Sequence, residues 1–218
     1  MTASSPHEKF NLEKFLRVKS KTFLDRIAGA VNRMGILPNT ITLLGLIGTC
    51  IGAILLATGN ITLGGLVILI MGPVDALDGA MARLRGDQTE FGAFVDSVTD
   101  RYSELVIFAG LLAYYLQQTD WLNSGLVFLA ASGSIMVSYT KARAEGLGFT
   151  AKVGILSRLE RYLVLVPGLV FNIPWVSLWV IAVFANYTAL QRIMTVRRQA
   201  AEQKKLLVYP SRKARKNP

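Results

Sequence analysis

The fold class predicted is an all-α integral membrane protein, with six transmembrane helices and an N-terminal interfacial amphipathic helix. Three observations predict it. The chain of 218 residues is 52% hydrophobic and only 17% charged, a balance more apolar than soluble domains carry. The apolar residues gather into runs approaching 20 residues, about the length that crosses a hydrocarbon core roughly 30 Å thick. Finally, the cations between those runs alternate, present in one connector and absent from the next.

Residues 1–37 are read as a cytoplasmic and interfacial N-terminus. Within it Phe10, Phe15, Leu16, Phe23, Leu24, Ile27 and Val31 recur near helical spacing among Lys9, Lys14, Arg17, Lys19, Lys21 and Arg26. That pattern suits one or two helices lying in the membrane interface. A helix packed on a protein partner has the same pattern. The first 35 residues hold no compact apolar core before a small-residue cleavage site, so no cleavable leader is expected. His7, the one histidine, reads as a solvated residue of this stretch.

Pro38 breaks the chain, and Asn39 and Thr40 can cap the helix after it. Six apolar segments come next, at about 39–58, 61–83, 91–116, 121–143, 155–172 and 175–195, within a membrane domain spanning 38–196. Cys50, the one cysteine, lies in the first of them and reads as a small packing residue. The connectors after the first, third and fifth segments hold no Lys or Arg. Those after the second and fourth contain or adjoin Arg83, Arg85, Lys141, Arg143, Lys152, Arg158 and Arg161. By the positive-inside tendency both termini are cytoplasmic in a multi-pass protein of the cell membrane. Trp121, Trp175 and Trp179 fall near the proposed outer ends, where aromatic belts lie. Residues 197–218 form a polar tail with Arg197, Arg198, Lys204, Lys205, Arg212, Lys213, Arg215 and Lys216. The net charge of +10 thus sits beside apolar runs, facing anionic headgroups, and does not mark a nucleic-acid binder.

The second segment contains Asp75 and Asp78, and the third Asp96, Asp100 and Glu104. Carboxylates at membrane depth are costly and need partners. Spacings of three and four put each aspartate pair on one helix face. A short connector makes the two helices antiparallel neighbours, and all four aspartates then lie at similar depth near the cytoplasmic face. Four oxygen-only ligands suit a hard divalent cation, Mg²⁺ or Mn²⁺. Gly72, Gly79, Ala80, Ala82, Gly92 and Ala93 surround them and permit close approach. Gly79 suits substrate contact, and Arg83, one turn on, can reach a phosphate. On spacing alone a transporter or a silent membrane scaffold stays open, since intramembrane acids also mark ion pathways.

Residues 75–100 read DALDGAMARLRGDQTEFGAFVDSVTD. This resembles the CDP-alcohol phosphotransferase signature, D-x2-D-G-x2-A-R-x8-G-x3-D-x3-D. Asp75, Asp78, Gly79, Ala82, Arg83, Gly92, Asp96 and Asp100 fill all eight fixed positions. The resemblance implies a six-helix enzyme that uses two Mg²⁺ or Mn²⁺ ions. Asp75, Asp78 and Asp96 would bind metal, with Asp100 sharing an ion and acting as general base. Gly79, Ala82 and Arg83 would line the nucleotide side of a CDP-lipid. Pro38 to Thr42, Pro-Asn-x-x-Thr, resembles the start of the family's first membrane helix and adds Asn39 and Thr42 to that site. It also implies a homodimer.

Lys141, Arg143, Arg158, Arg161 and Arg192 lie on the side of the aspartates. Glycerol would not need them, whereas an acceptor bearing its own phosphate would. The Lys-Ala-Arg-Ala-Glu stretch from Lys141 and Leu159-Glu160-Arg161 resemble the phosphatidylinositol-phosphate synthase branch and its archaeal ether-lipid counterpart. The acceptor implied is inositol 1-phosphate, the donor CDP-diacylglycerol or CDP-archaeol, and the five cations would surround the inositol phosphate. Glycerol 3-phosphate also carries a phosphate, so charge leaves a phosphatidylglycerophosphate synthase open.

Overall fold

The computed structural model describes residues 24–87 and 89–208. The side chains of Asp75 and residues 205–208, together with His7, the amphipathic stretch 8–23 and the tail beyond Val208, lie outside the described residues. Among the described residues all regular structure is helical. A helical stretch at 24–33 (α1) is followed by α2 (Pro38–Ala57), α3 (Ile61–Arg85), α4 (Glu90–Gln117), α5 (Trp121–Gly146), α6 (Arg158–Val170) and α7 (Pro174–Val208).

Four of these helices, α2, α3, α5 and α7, are long and apolar enough to cross a membrane. Helix α4 is long enough but carries Asp96, Asp100, Arg101 and Glu104. Helix α6 has 13 residues, about 20 Å at the usual rise and short of a hydrocarbon core. The expected segment 155–172 therefore contracts to Arg158–Val170, and the chain before it is irregular. Helix α7 does the opposite. It continues through Val208, past residue 196, where hydropathy places the start of a polar tail. The sequence there, RRQAAEQKK, consists of strong helix formers. Helix α2 begins on Pro38 itself, whose fixed φ suits a first helical position, so Asn39 stands in the first turn and not at the cap.

Helix ends are closed by backbone bonds. At the end of α3 the N–H of Gly86 bonds Arg83 O (3.3 Å) and that of Asp87 bonds Ala82 O (3.2 Å). This Schellman closure needs the left-handed φ of +72° that Gly86 adopts. The same pair of bonds closes α2, α4, α5 and α6 around Gly59, Thr119, Gly148 and Asn172. Helix α5 is started by Asp120, which accepts from the Asn123 N–H at 3.0 Å. Those hydrogen bonds hold the Asp120 carboxyl below the usual carboxylate range.

The chain divides into two compact units, Met1–Ile47 with Ile70–Asp100 and Gly48–Leu69 with Arg101–Pro218. In the first, Ala28 of α1, Ile41 of α2 and Leu77, Ala80 and Met81 of α3 form a buried cluster, flanked by Leu24, Ile27 and Val31. The apolar face of 24–33, expected against lipid, is thus packed on protein. Arg85 fastens it, donating to Asn32 Oδ1 (2.7 Å) and Ile36 O (2.6 Å). In the second unit Leu111, Val127, Leu169, Leu178 and Ile181 are among the fully buried side chains. Small residues let these helices close up: a Cβ at Gly110 would sit 2.4 Å from Ala53 O. The outward face of α2 is apolar, with Leu44, Ile47, Ile51 and Ile54 at least 47% exposed, as a lipid-facing surface requires. Trp121, Trp175 and Trp179 are likewise exposed at the beginnings of α5 and α7.

Gly110→Ala is expected to lower stability by about 1–3 kcal/mol, because backbone must move to admit the methyl group. Gly125→Ala, on α5 with nothing within 4 Å of the new carbon, is expected to be neutral or stabilising. Thermal unfolding of both variants in detergent checks the contrast.

Candidate active site

All four signature aspartates belong to the first unit. Asp78, on α3, is 6% exposed. Its two oxygens accept hydrogen bonds from the Thr42 hydroxyl of α2 and from the Gly79 N–H. Thr42 is itself 5% exposed. It stands one turn after Pro38, so the start of α2 delivers the hydroxyl that orients the acid. One turn beyond, the Arg83 guanidinium lies over Gly79, within 3.5 Å of where a Cβ would be. A side chain at this position would come into contact with that cation. The structure thereby assembles Thr42, Asp78, Gly79 and Arg83 into one cluster. Ala82 is half-buried on the same helix, and Asn39 is exposed.

On α4, Asp100 is 6% exposed, Asp96 is half-buried, and the Thr89 hydroxyl caps the helix through the Gly92 N–H at 3.0 Å. Among the described residues no three acidic, histidine or cysteine side chains converge on one point; the side chain of Asp75, the fourth acid, is not among them. The donor set fits a divalent cation in kind. Every candidate ligand is a carboxylate, and two of them are buried, where a negative charge calls for a compensating cation or hydrogen bonds.

The five cations assigned to an acceptor all belong to the second unit, and they separate into two groups. Lys141, Arg143 and Arg158 are exposed. Lys141 and Arg143, two residues apart, point to different sides of α5, as positions i and i+2 of a helix do. Arg161 and Arg192 are buried, at 1% and 6%. Arg161 forms a two-pronged salt bridge with Glu104, Nε to Oε1 at 2.7 Å and Nη2 to Oε2 at 2.9 Å, while Nη1 reaches Leu156 O at 3.4 Å. Arg192 donates from Nε to Val153 O at 3.0 Å and from Nη1 to Val137 O. The expectation that these two arginines surround an acceptor phosphate meets side chains already engaged with protein. Glu104 and Arg161 instead form a packing lock between an acid of α4 and an arginine of α6. Along the sequence Glu104 is only one more acid of the third segment, though an arginine within an apolar run is itself a signal for a partner.

The helical fold and the four signature aspartates mark a membrane enzyme of phospholipid synthesis: the chain belongs to the CDP-alcohol phosphatidyltransferase family, whose profile matches residues 35–190. That membership sets aside the transporter and scaffold readings. It is 36% identical over 213 residues to the phosphatidylinositol phosphate synthase of Streptomyces avermitilis, covering 89% of this chain and 86% of that one. It is 33% identical over 185 residues to the archaetidylinositol phosphate synthase of Pyrococcus horikoshii, covering 84% and 96%. Its fold matches the crystal structure of the Mycobacterium tuberculosis phosphatidylinositol phosphate synthase with CDP-DAG bound, with a TM-score of 0.75, 33% identity, and coverage of 79% and 92%. The same enzyme solved with manganese and citrate gives a TM-score of 0.76, with coverage of 79% and 88%.

Replacing Glu104 by Gln is expected to cost about 3–5 kcal/mol, because it leaves the Arg161 charge buried and unpaired. Replacing both residues by apolar groups of similar size is expected to restore most of the loss. Unfolding of the single and double variants in detergent measures the coupling.

Proposed function

We propose that this protein transfers a phosphatidyl or archaetidyl group from a CDP-lipid, CDP-diacylglycerol or CDP-archaeol, to inositol 1-phosphate and releases CMP. The observation that carries the reading is the setting of Asp78, a buried carboxylate oriented by Thr42 with the Arg83 guanidinium over the neighbouring Gly79. A carboxylate suited to a divalent cation, with a phosphate-binding guanidinium and a glycine beside it, matches what a diphosphate donor requires. The inositol acceptor is supported by the two relatives that make inositol-phosphate lipids.

Asp75, Asp78 and Asp96 are assigned to Mg²⁺ or Mn²⁺, with Asp100 sharing an ion. The solved relative that contains manganese supports this choice. Bound cations of this kind neutralise the pyrophosphate and stabilise charge on the transferred phosphoryl group. Thr42 keeps Asp78 in its orientation. Gly79 and Ala82 leave room for the nucleotide, Arg83 binds its phosphates, and Asn39 in the first turn of α2 contacts the CDP moiety. Asp100 takes the proton from the acceptor hydroxyl. The hydroxyl oxygen then bonds to the β-phosphorus, the bond from that phosphorus to the bridging oxygen breaks, and CMP leaves carrying that oxygen. Lys141 and Arg158 bind the acceptor's own phosphate, and Arg143, on another side of α5, adds to the positive field that draws it in. Arg161 and Arg192 support them by holding the surrounding backbone and helices.

In the membrane we read six spans, α2 to α7, with both termini cytoplasmic and 24–33 at the interface. Helix α4 falls short of an apolar span because it carries the reacting acids, and α6 because it is short. The likeness to the family supports a homodimer.

With CDP-diacylglycerol and Mg²⁺, purified protein is expected to release CMP with inositol 1-phosphate and not with glycerol. Release with glycerol 3-phosphate alone overturns the assignment. Asp100→Asn is expected to lower kcat by about 10²–10⁴ while CDP-lipid binding survives; equal loss of both contradicts the base role. Asp78→Asn should abolish Mn²⁺ binding seen by electron paramagnetic resonance, a readout independent of turnover. Lys141→Ala is expected to raise the KM for inositol 1-phosphate more than that for CDP-lipid.

A further inference from the structure

The chain between α5 and α6, residues 147–157, has no regular structure of its own, yet its backbone is held at three levels by one face of α7. Gln199 grips Thr150 at both polar ends of its backbone, accepting from the N–H at 3.0 Å and donating to the carbonyl at 2.6 Å. Arg192 donates to Val153 O at 3.0 Å. Thr188, fully buried, accepts from two consecutive backbone donors, Ile155 N at 3.1 Å and Leu156 N at 3.2 Å. Positions 188, 192 and 199 are spaced by four and seven, which keeps them on one side of a helix. Between these levels Gly154 takes a φ of +137°, and a Cβ there would lie 2.2 Å from the Thr188 methyl carbon. The loop therefore touches α7 where only glycine fits. The last fixed residue, Leu156, is followed by Ser157, whose N–H meets Glu160 at 2.5 Å in a capping contact, and then by Arg158 at the first position of α6.

We propose that Thr188 and Gln199 are positioning residues for acceptor specificity: by fixing the 147–157 strap they set where Arg158 presents its charge to the phosphate of the acceptor. Neither touches a substrate. An arginine can be steered by its backbone only if that backbone has one conformation, and two N–H groups converging on one buried hydroxyl supply it. The inference rests on the reading that the acceptor carries a phosphate.

Thr188→Val keeps the shape of the side chain and removes the acceptor oxygen. It is expected to raise the KM for inositol 1-phosphate about tenfold, because two backbone donors lose their shared acceptor. The KM for CDP-lipid and kcat should stay within about twofold of wild type, well below that tenfold step. Amide hydrogen exchange at Ile155 and Leu156 should accelerate. Thr188→Ser, which keeps the hydroxyl, should restore both the acceptor KM and the slow exchange. Faster exchange with an unchanged acceptor KM overturns the inference, as does an equal rise in both KM values. A serine variant that behaves like the valine variant also overturns it. A wild-type protein that turns over no inositol 1-phosphate overturns the functional reading itself, and the two failures are distinguished by that control.

Discussion

A carboxylate in an apolar helix has to be held by donors or by a cation, and the arrangement of this protein follows from how its acids meet that demand. Asp78 meets it with the Thr42 hydroxyl and a backbone N–H. Glu104 meets it with both prongs of a buried arginine. The two solutions differ in consequence. A hydroxyl and an amide donate to a carboxylate without bringing a formal charge to cancel its own. A guanidinium that meets both oxygens neutralises the acid and leaves little for anything else. The acids of α3 and α4 thus differ: Asp78 is oriented by neutral donors, whereas Glu104 is locked to a guanidinium that fixes helices.

The arginines divide in the same way. Arg161 and Arg192, the two most deeply buried of the acceptor candidates, reach carboxylate and carbonyl oxygens of the protein, whereas Lys141, Arg143 and Arg158 remain exposed. Burial therefore separates cations that position backbone from cations that a soluble anion can reach. Charge counting along the sequence weighs the five alike, because it registers the side of the membrane and not the partner of each guanidinium.

Much of this was legible in one dimension. The ends of α2, α3, α4 and α5 lie within about three residues of the boundaries that apolar runs suggest, since length and hydropathy are local properties. The signature spacing locates Asp78, Gly79 and Arg83 together, and Pro-Asn-x-x-Thr singles out Thr42. What the sequence conceals depends on contacts between distant positions. The shortening of α6 follows from the strap before it, and the strap exists because Gly154 meets Thr188, 34 residues later. No periodicity announces such a pairing. The apolar stripe of 24–33 is visible, but whether lipid or α3 covers it is not. Asn32 and Arg85 decide in favour of α3 through hydrogen bonds that composition does not encode.

The length of α7 has a practical meaning. Its 35 residues extend to about 52 Å, so a good third of the rod outreaches a hydrocarbon core of roughly 30 Å. Gln199, on that outlying portion, still clasps Thr150. A reporter or affinity handle spliced in after residue 196, where hydropathy suggests the membrane part is complete, would sever this clasp while sparing every acid of the signature. Joined beyond Val208, the same handle would leave the clasp in place.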